Sequence, residues 1–119
     1  MRIMVGVDGT ERGMAALSAA VERARASGDD LTVAVYSGSK PVDIVETQVQ
    51  DRLEAIGYEA NVDRLEGHPG GRLVERAERG EYDRIVLPGG TRSPLGKLTF
   101  DSTVKFVLLN AHTSVTLIR

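Results

Sequence analysis

Short runs that are apolar on both faces alternate along the chain with stretches in which apolar residues return every three or four positions. The first run, residues 3–7, reads Ile-Met-Val-Gly-Val, the pattern of a central parallel strand, and Asp8-Gly9-Thr10 breaks it. From 11 to about 27, Met14, Leu17, Val21 and Ala24 recur at helical spacing, leaving Glu22, Arg23 and Arg25 to solvent. Gly28-Asp29-Asp30 ends that helix, and residues 31–36 form a second buried strand. Ser37 to Lys40 is a turn, and Pro41 suits the first position of a second helix. That helix turns Val45, Val49, Leu53 and Ile56 inward and stops at Gly57. Residues 58–65 are more polar, which places this strand at an edge. Pro69 opens a short helix holding Leu73, Val74 and Ala77, closed by Gly80; residues 83–88 are the fourth strand, and a glycine-rich loop starts at Gly89. Asp101 or Ser102 caps a last helix with Val104, Val107, Leu108 and Ala111 inward, and 115–118 is the fifth strand.

The order βαβαβαβαβ, wound with right-handed crossovers, predicts an α/β fold. The expected form is a single domain over 1–119 with a doubly wound, five-stranded parallel sheet in the order 3-2-1-4-5. Helices cover both faces, as in Rossmann- and flavodoxin-like folds. A length of 119 residues suits one domain, and 41% hydrophobic with 27% charged residues excludes a disordered tail. The formal net charge of −2 carries no basic excess for nucleic acid or an anionic membrane surface. No run approaches the ~18 apolar residues that span a bilayer, and Asp8 interrupts the opening run too early for a signal peptide. A cytoplasmic protein is expected. The absence of cysteine removes disulfides, thiol nucleophiles and cysteine-ligated metals together.

Ligands of such sheets sit beyond the carboxyl ends of the strands, where the strand order reverses. The loops after strands one and four are therefore the places for chemistry. The second runs Gly89-Gly90-Thr91-Arg92-Ser93-Pro94-Leu95-Gly96-Lys97 and reads either as a cradle of backbone N–H groups for an anion or as an ordinary surface loop. It is not a P-loop: five residues separate Gly90 from Gly96, and Leu98 stands where a magnesium-binding hydroxyl is required. Asp8 reads either as a capping residue for the first helix or as a carboxylate projecting over the ligand edge. His68 and His112 lack partners at metal-ligand spacing, which leaves them loop and helix-end roles. No G-x-S-x-G elbow supports serine hydrolase chemistry.

Taken together, these elements resemble the universal stress protein family. The opening Ile3-Met4-Val5-Gly6-Val7-Asp8-Gly9-Thr10-Glu11 is similar to that family's first strand and its aspartate-glycine-serine/threonine turn. The stretch from Asp83 through Gly89-Gly90-Thr91-Arg92 to Ser102, and the ending Asn110 to Arg119, resemble its C-terminal half. The resemblance implies a cytoplasmic regulatory module. Some members hold adenine nucleotides with a G-x-x-G-x9-G-[ST] loop after strand four, and others do not bind them. Carried over, it implies a nucleotide site of Asp8, Gly9, Thr10, Tyr36, Gly89, Gly90, Thr91, Arg92, Ser93, Lys97, Ser102 and Thr103. The ligand would be ATP or AMP, with magnesium only alongside ATP.

The loop departs from the family's pattern in three respects. Arg92 and Ser93 stand where the second glycine belongs, the loop is about one residue short, and Asp101 occupies the last glycine's place. Tyr36 falls where a smaller aliphatic residue usually lines the adenine pocket, able either to stack on the base or to fill its space. Arg92 and Lys97 can neutralise phosphate. Two functions are therefore open: a nucleotide-binding module without catalytic activity, and a dimeric interaction module that has lost the nucleotide. Nucleotide hydrolysis is a weaker third, since no side chain is an evident base for water. The apolar edge Val115-Thr116-Leu117-Ile118 lacks the lysine or proline that protects exposed edges, and with the resemblance it implies a homodimer paired through this strand.

Overall fold

The computed structural model describes residues 1–92, 94–96 and 98–118. In chain order the elements are β1 (Arg2–Val7), α1 (Glu11–Ser27), β2 (Asp30–Val35), α2 (Val42–Ile56), β3 (Asn61–Arg64), α3 (Pro69–Arg79) and β4 (Arg84–Pro88). A two-stranded ribbon of β5 (Thr91–Arg92) and β6 (Leu98–Thr99) follows, then α4 (Ser102–Asn110) and β7 (Ser114–Ile118). The main sheet runs β3-β2-β1-β4-β7 with every pairing parallel, which is the expected order, β7 being the fifth strand of that sheet. No helix of the described residues is long and apolar enough to cross a membrane.

Alternation along the strands sorts the core into two layers. Ile3, Val5 and Val7 of β1, with Val33 and Val35 of β2, face α1 and α2 and meet Leu17, Val21, Val45 and Val49 there. Met4, Ala34, Ile85 and Leu87 face the other way, against Leu73 and Ala77 of α3 and Val104 and Val107 of α4. Strands so covered on both faces have no polar side, which explains the apolar runs of β1 and β2, broken only by Thr32, whose Oγ1 accepts from the Tyr82 hydroxyl at 2.8 Å.

Three elements differ from expectation. β3 starts at Asn61 rather than 58, because Tyr58 belongs to the end of α2. With Gly57 left-handed (φ 67°), the Gly57 N–H donates to Glu54 O and the Tyr58 N–H to Leu53 O, a Schellman closure that holds Tyr58 out of the strand. Leu108 is not inward: it is 43% exposed and Leu109 84%. α4 packs beside α3 and over the sheet, and Val104 and Val107 already fill its inner stripe. The loop after β4 is folded into the β5–β6 ribbon, pairing Thr91 with Thr99 and Arg92 with Leu98. His68 takes a helix-end role, its Nδ1 accepting the Gly71 N–H at 2.9 Å to cap α3.

Candidate functional site

β1 and β4 lie side by side, but the chain leaves β1 toward α1 on one face and leaves β4 toward α4 on the other. This divergence opens a crevice at their carboxyl ends. Asp8 is the first residue past β1 and is half-buried there. Its Oδ1 accepts from the Thr10 N–H at 3.1 Å and the Thr10 hydroxyl at 2.7 Å, while Thr10 Oγ1 accepts the Gly13 N–H at 3.1 Å. Thr10, not Asp8, is thus the N-cap of α1, and Asp8 is held by the cap. Glycines flank the carboxylate: a Cβ on Gly13 would stand 3.0 Å from Oδ1, and one on Gly38 3.3 Å from Oδ2. Any larger residue would crowd Asp8 from either side.

Tyr36 is 2% exposed, its ring packed in the layer of Leu65, Leu73, Leu87 and Val104. The ring fits because residue 6 is glycine, where a Cβ would lie 3.3 Å from Tyr36 Cε1 and 2.7 Å from Leu87 Cδ2. Burial first, then the carboxylates of Asp8 and Asp101, push the phenol above its ordinary range. Of these two carboxylates, Asp8 stands just past β1 and Asp101 at the start of α4.

Beyond β4, Gly89 is buried and its N–H donates to Ile118 O at 2.6 Å, so this amide ties β4 to β7. A Cβ on Gly90 would stand 2.6 Å from the Thr99 carbonyl oxygen and 2.9 Å from the Phe100 ring, so the ribbon closes only over glycine. Arg12 reaches across from α1, Nη1 donating to Gly90 O at 3.2 Å. Thr91 and Arg92 belong to β5; Ser93 and Lys97, and the side chains of Thr91 and Arg92, lie outside the described residues. Ser102 and Thr103 begin α4, exposed and half-buried. Asp101 rather than Ser102 is the cap, its Oδ1 accepting the Val104 N–H at 2.8 Å. The helix end on which a phosphate would dock already carries a carboxylate.

Outside this crevice, the described residues also line a larger and a smaller depression. The larger, about 1040 Å³, is at the opposite edge of the sheet, by Asp29, Asp30, Tyr58 and Asn61, remote from the switch in strand order. The smaller, about 440 Å³, lies between α1 and α2 behind the Asp8–Thr10 turn and is lined by Gly9, Thr10, Met14, Lys40, Gln48 and Arg52, among others. Gly9 faces that side: at φ 84° its Cβ would stand 2.8 Å from Gln48 Oε1. Sequence reasoning missed Arg12, Gly13, Gly38 and the Lys40–Gln48–Arg52 wall; the sole signal was the i, i+4 spacing of residues 48 and 52 beside an apolar stripe. Among the described residues, no three His, Asp or Glu side chains gather as a metal site.

No protein-family model matches the chain, and no curated protein matches it. Solved structures do. A universal stress protein from Archaeoglobus fulgidus superposes with a TM-score of 0.82 at 27% identity, covering 100% of this chain and 98% of that one. A universal stress protein in complex with cAMP gives 0.78 at 25% identity, covering 100% and 96%. The universal stress protein from Archaeoglobus fulgidus in complex with dAMP gives 0.73 at 27% identity, covering 100% and 98%. With the same fold along the whole chain, and a crevice where the strand order reverses, this chain is universal-stress-protein-like over its full length.

Proposed function

We propose that the module binds an adenine nucleotide carrying a single phosphate, of the AMP class, in the crevice at the carboxyl ends of β1 and β4, and releases it unchanged. The observation that carries this reading is the carboxylate on each side: Asp8, held by the Thr10 cap, and Asp101, on the N-terminus of α4. Asp8 offers an acceptor for the sugar or base, and Arg12 at Gly90 a cation at the mouth. Asp101 opposes a long phosphate chain at the helix end, which disfavours ATP, with or without magnesium, relative to AMP. The cAMP and dAMP complexes of similar proteins support the same ligand class.

A second reading has its own support. Tyr36 is packed into the core, the Gly89 amide is engaged by Ile118, and Asp101 covers the α4 end, so three features that a nucleotide would use are already occupied. On that reading the chain is an interaction module acting as a homodimer. β7 has one neighbour in the main sheet, and Ile118 O points toward β4, so by alternation the backbone groups of Val115 and Leu117 face the open edge. A second copy can add antiparallel along Val115, Thr116, Leu117 and Ile118. Mass spectrometry of the purified protein under non-denaturing conditions, followed by calorimetric titration with AMP, separates the two. Bound AMP supports the first reading; a bare dimer that ignores added AMP overturns it in favour of the second.

A further inference from the structure

We propose that the hollow between α1 and α2 is a separate ligand site, built for a compact oxyanion, a phosphate or carboxylate group on a small molecule. It holds about 440 Å³, and two half-buried cations line it. Lys40 Nζ donates to Gly9 O at 3.2 Å and to Gln48 Oε1 at 3.3 Å. Arg52 Nη1 donates to Ser18 Oγ at 2.8 Å and to Met14 O at 3.4 Å. All four partners are neutral, and neither cation forms an ion pair with a described residue. The exposed Glu11 is the single carboxylate on the lining, and it stands at the rim.

Half-buried cations held by neutral oxygens keep their positive potential, and their partial burial screens it less than full exposure would. Their donors are not exhausted. An ammonium has three N–H groups and a guanidinium five, and these four bonds leave donors on both. Gln48 and Arg52 stand i, i+4 on one face of α2, and Lys40 reaches Gln48 from the preceding turn, so the three polar heads form one wall. Arg52 contributes the planar fork that fits two oxygens of a carboxylate or phosphate. Met14 and Ala15 of α1 supply an apolar surface for the body of the ligand. A Cβ on Gly9 would meet Gln48 and Lys40, whereas those on Gly13 and Gly38 would meet the Asp8 carboxylate, so the hollow and the crevice lie on different sides of the Asp8–Thr10 turn.

The test is an amide chemical-shift titration of the full chain with inorganic phosphate, repeated with acetate, at constant ionic strength with chloride as the filler. The expected result is saturable shifts at Gly9, Thr10, Ala15 and Gln48 with either anion. Saturation by one alone assigns the ligand's head group. Gln48→Glu places a carboxylate between the cations at a half-buried surface position and should weaken binding by about tenfold or more, with the rest of the spectrum unchanged. Lys40→Met should do the same. Shifts that grow without saturating for both anions, that saturate only around Gly90 and Ser102, or that survive Gln48→Glu unchanged overturn the proposal.

Discussion

Replacing Asp101 with asparagine removes one charge from the crevice and keeps the cap. Asparagine is as good an N-cap as aspartate, so the amide oxygen takes over the 2.8 Å bond from the Val104 N–H and stability should change by no more than ~0.5 kcal/mol. The cap bond fixes where the lost charge stood, at the first turn of α4. A phosphate docking on that turn would come within about 4 Å of it, where two unit charges repel by about 4 kcal/mol at an effective dielectric near 20 and about 1 kcal/mol in bulk water. Asp101 is exposed, which moves the repulsion toward the aqueous limit and leaves ~1–3 kcal/mol. That corresponds to roughly five- to 150-fold tighter ATP in Asp101→Asn. AMP, whose one phosphate sits nearer the sugar, should gain less than about threefold, and magnesium should shrink the gain for ATP by neutralising its phosphates. Calorimetric titration of both nucleotides against both proteins reads these differences. Unchanged ATP affinity, or equal gains for ATP and AMP, would refute the placement of Asp101 against the phosphate chain.

Three further outcomes follow from the same geometry. Because the folded state holds the Tyr36 phenol above its ordinary range, the unfolded chain gives up this proton first as pH rises; the stability is complete below about pH 10 and declines above it. Between about pH 9 and pH 11 the parent should lose about 1.4 kcal/mol more than Tyr36→Phe in urea unfolding, and parallel losses would show that the phenol titrates freely. Gly90→Ala drives a Cβ into the Thr99 carbonyl and should lower unfolding free energy by ~1–3 kcal/mol in the same assay, a neutral result meaning that the ribbon shifts at no cost. Leu117→Lys should turn a homodimer into monomer while retaining the helical circular dichroism; light scattering that finds the parent itself monomeric at tens of micromolar, roughly the range of weak association, removes the edge-pairing reading.

The fold was legible because its information is local and redundant. Residues 3–7 and, Thr32 apart, 31–36 are apolar on both faces, a pattern that needs helices above and below, and the alternation with Met14-Leu17-Val21 and Val45-Val49-Leu53 supplies them. The errors arose where a tertiary or capping contact decides a residue's side. Tyr58 has the composition of a strand residue, yet the left-handed Gly57 binds it to α2. Leu108 has the spacing of a buried residue, yet Val104 and Val107 take the side of α4 that meets the core and leave it exposed. The ribbon of β5 and β6 is two residues per strand, too short for any periodicity to register.

The candidate site was legible in its position more than in its contents, and the reason lies in the Asp8–Thr10 turn. The topology alone places Asp8 at the crevice, because any residue that follows β1 must emerge beside β4. What the carboxylate does there depends on atoms far off in sequence: Gly38, from the turn after β2, leaves room for Oδ2, and Lys40, two residues further, clamps the Gly9 carbonyl from behind. One short segment after β2 therefore shapes both sides of the turn, making space for an acid in the crevice and setting a cation in the hollow. No spacing rule within the sequence links residue 8 to residues 38 and 40; the parallel pairing of β1 with β2, Val7 opposite Val35, does so by ending both strands at the same level. The crevice and the hollow are consequently two faces of one structural unit, and a residue chosen for one of them constrains the other.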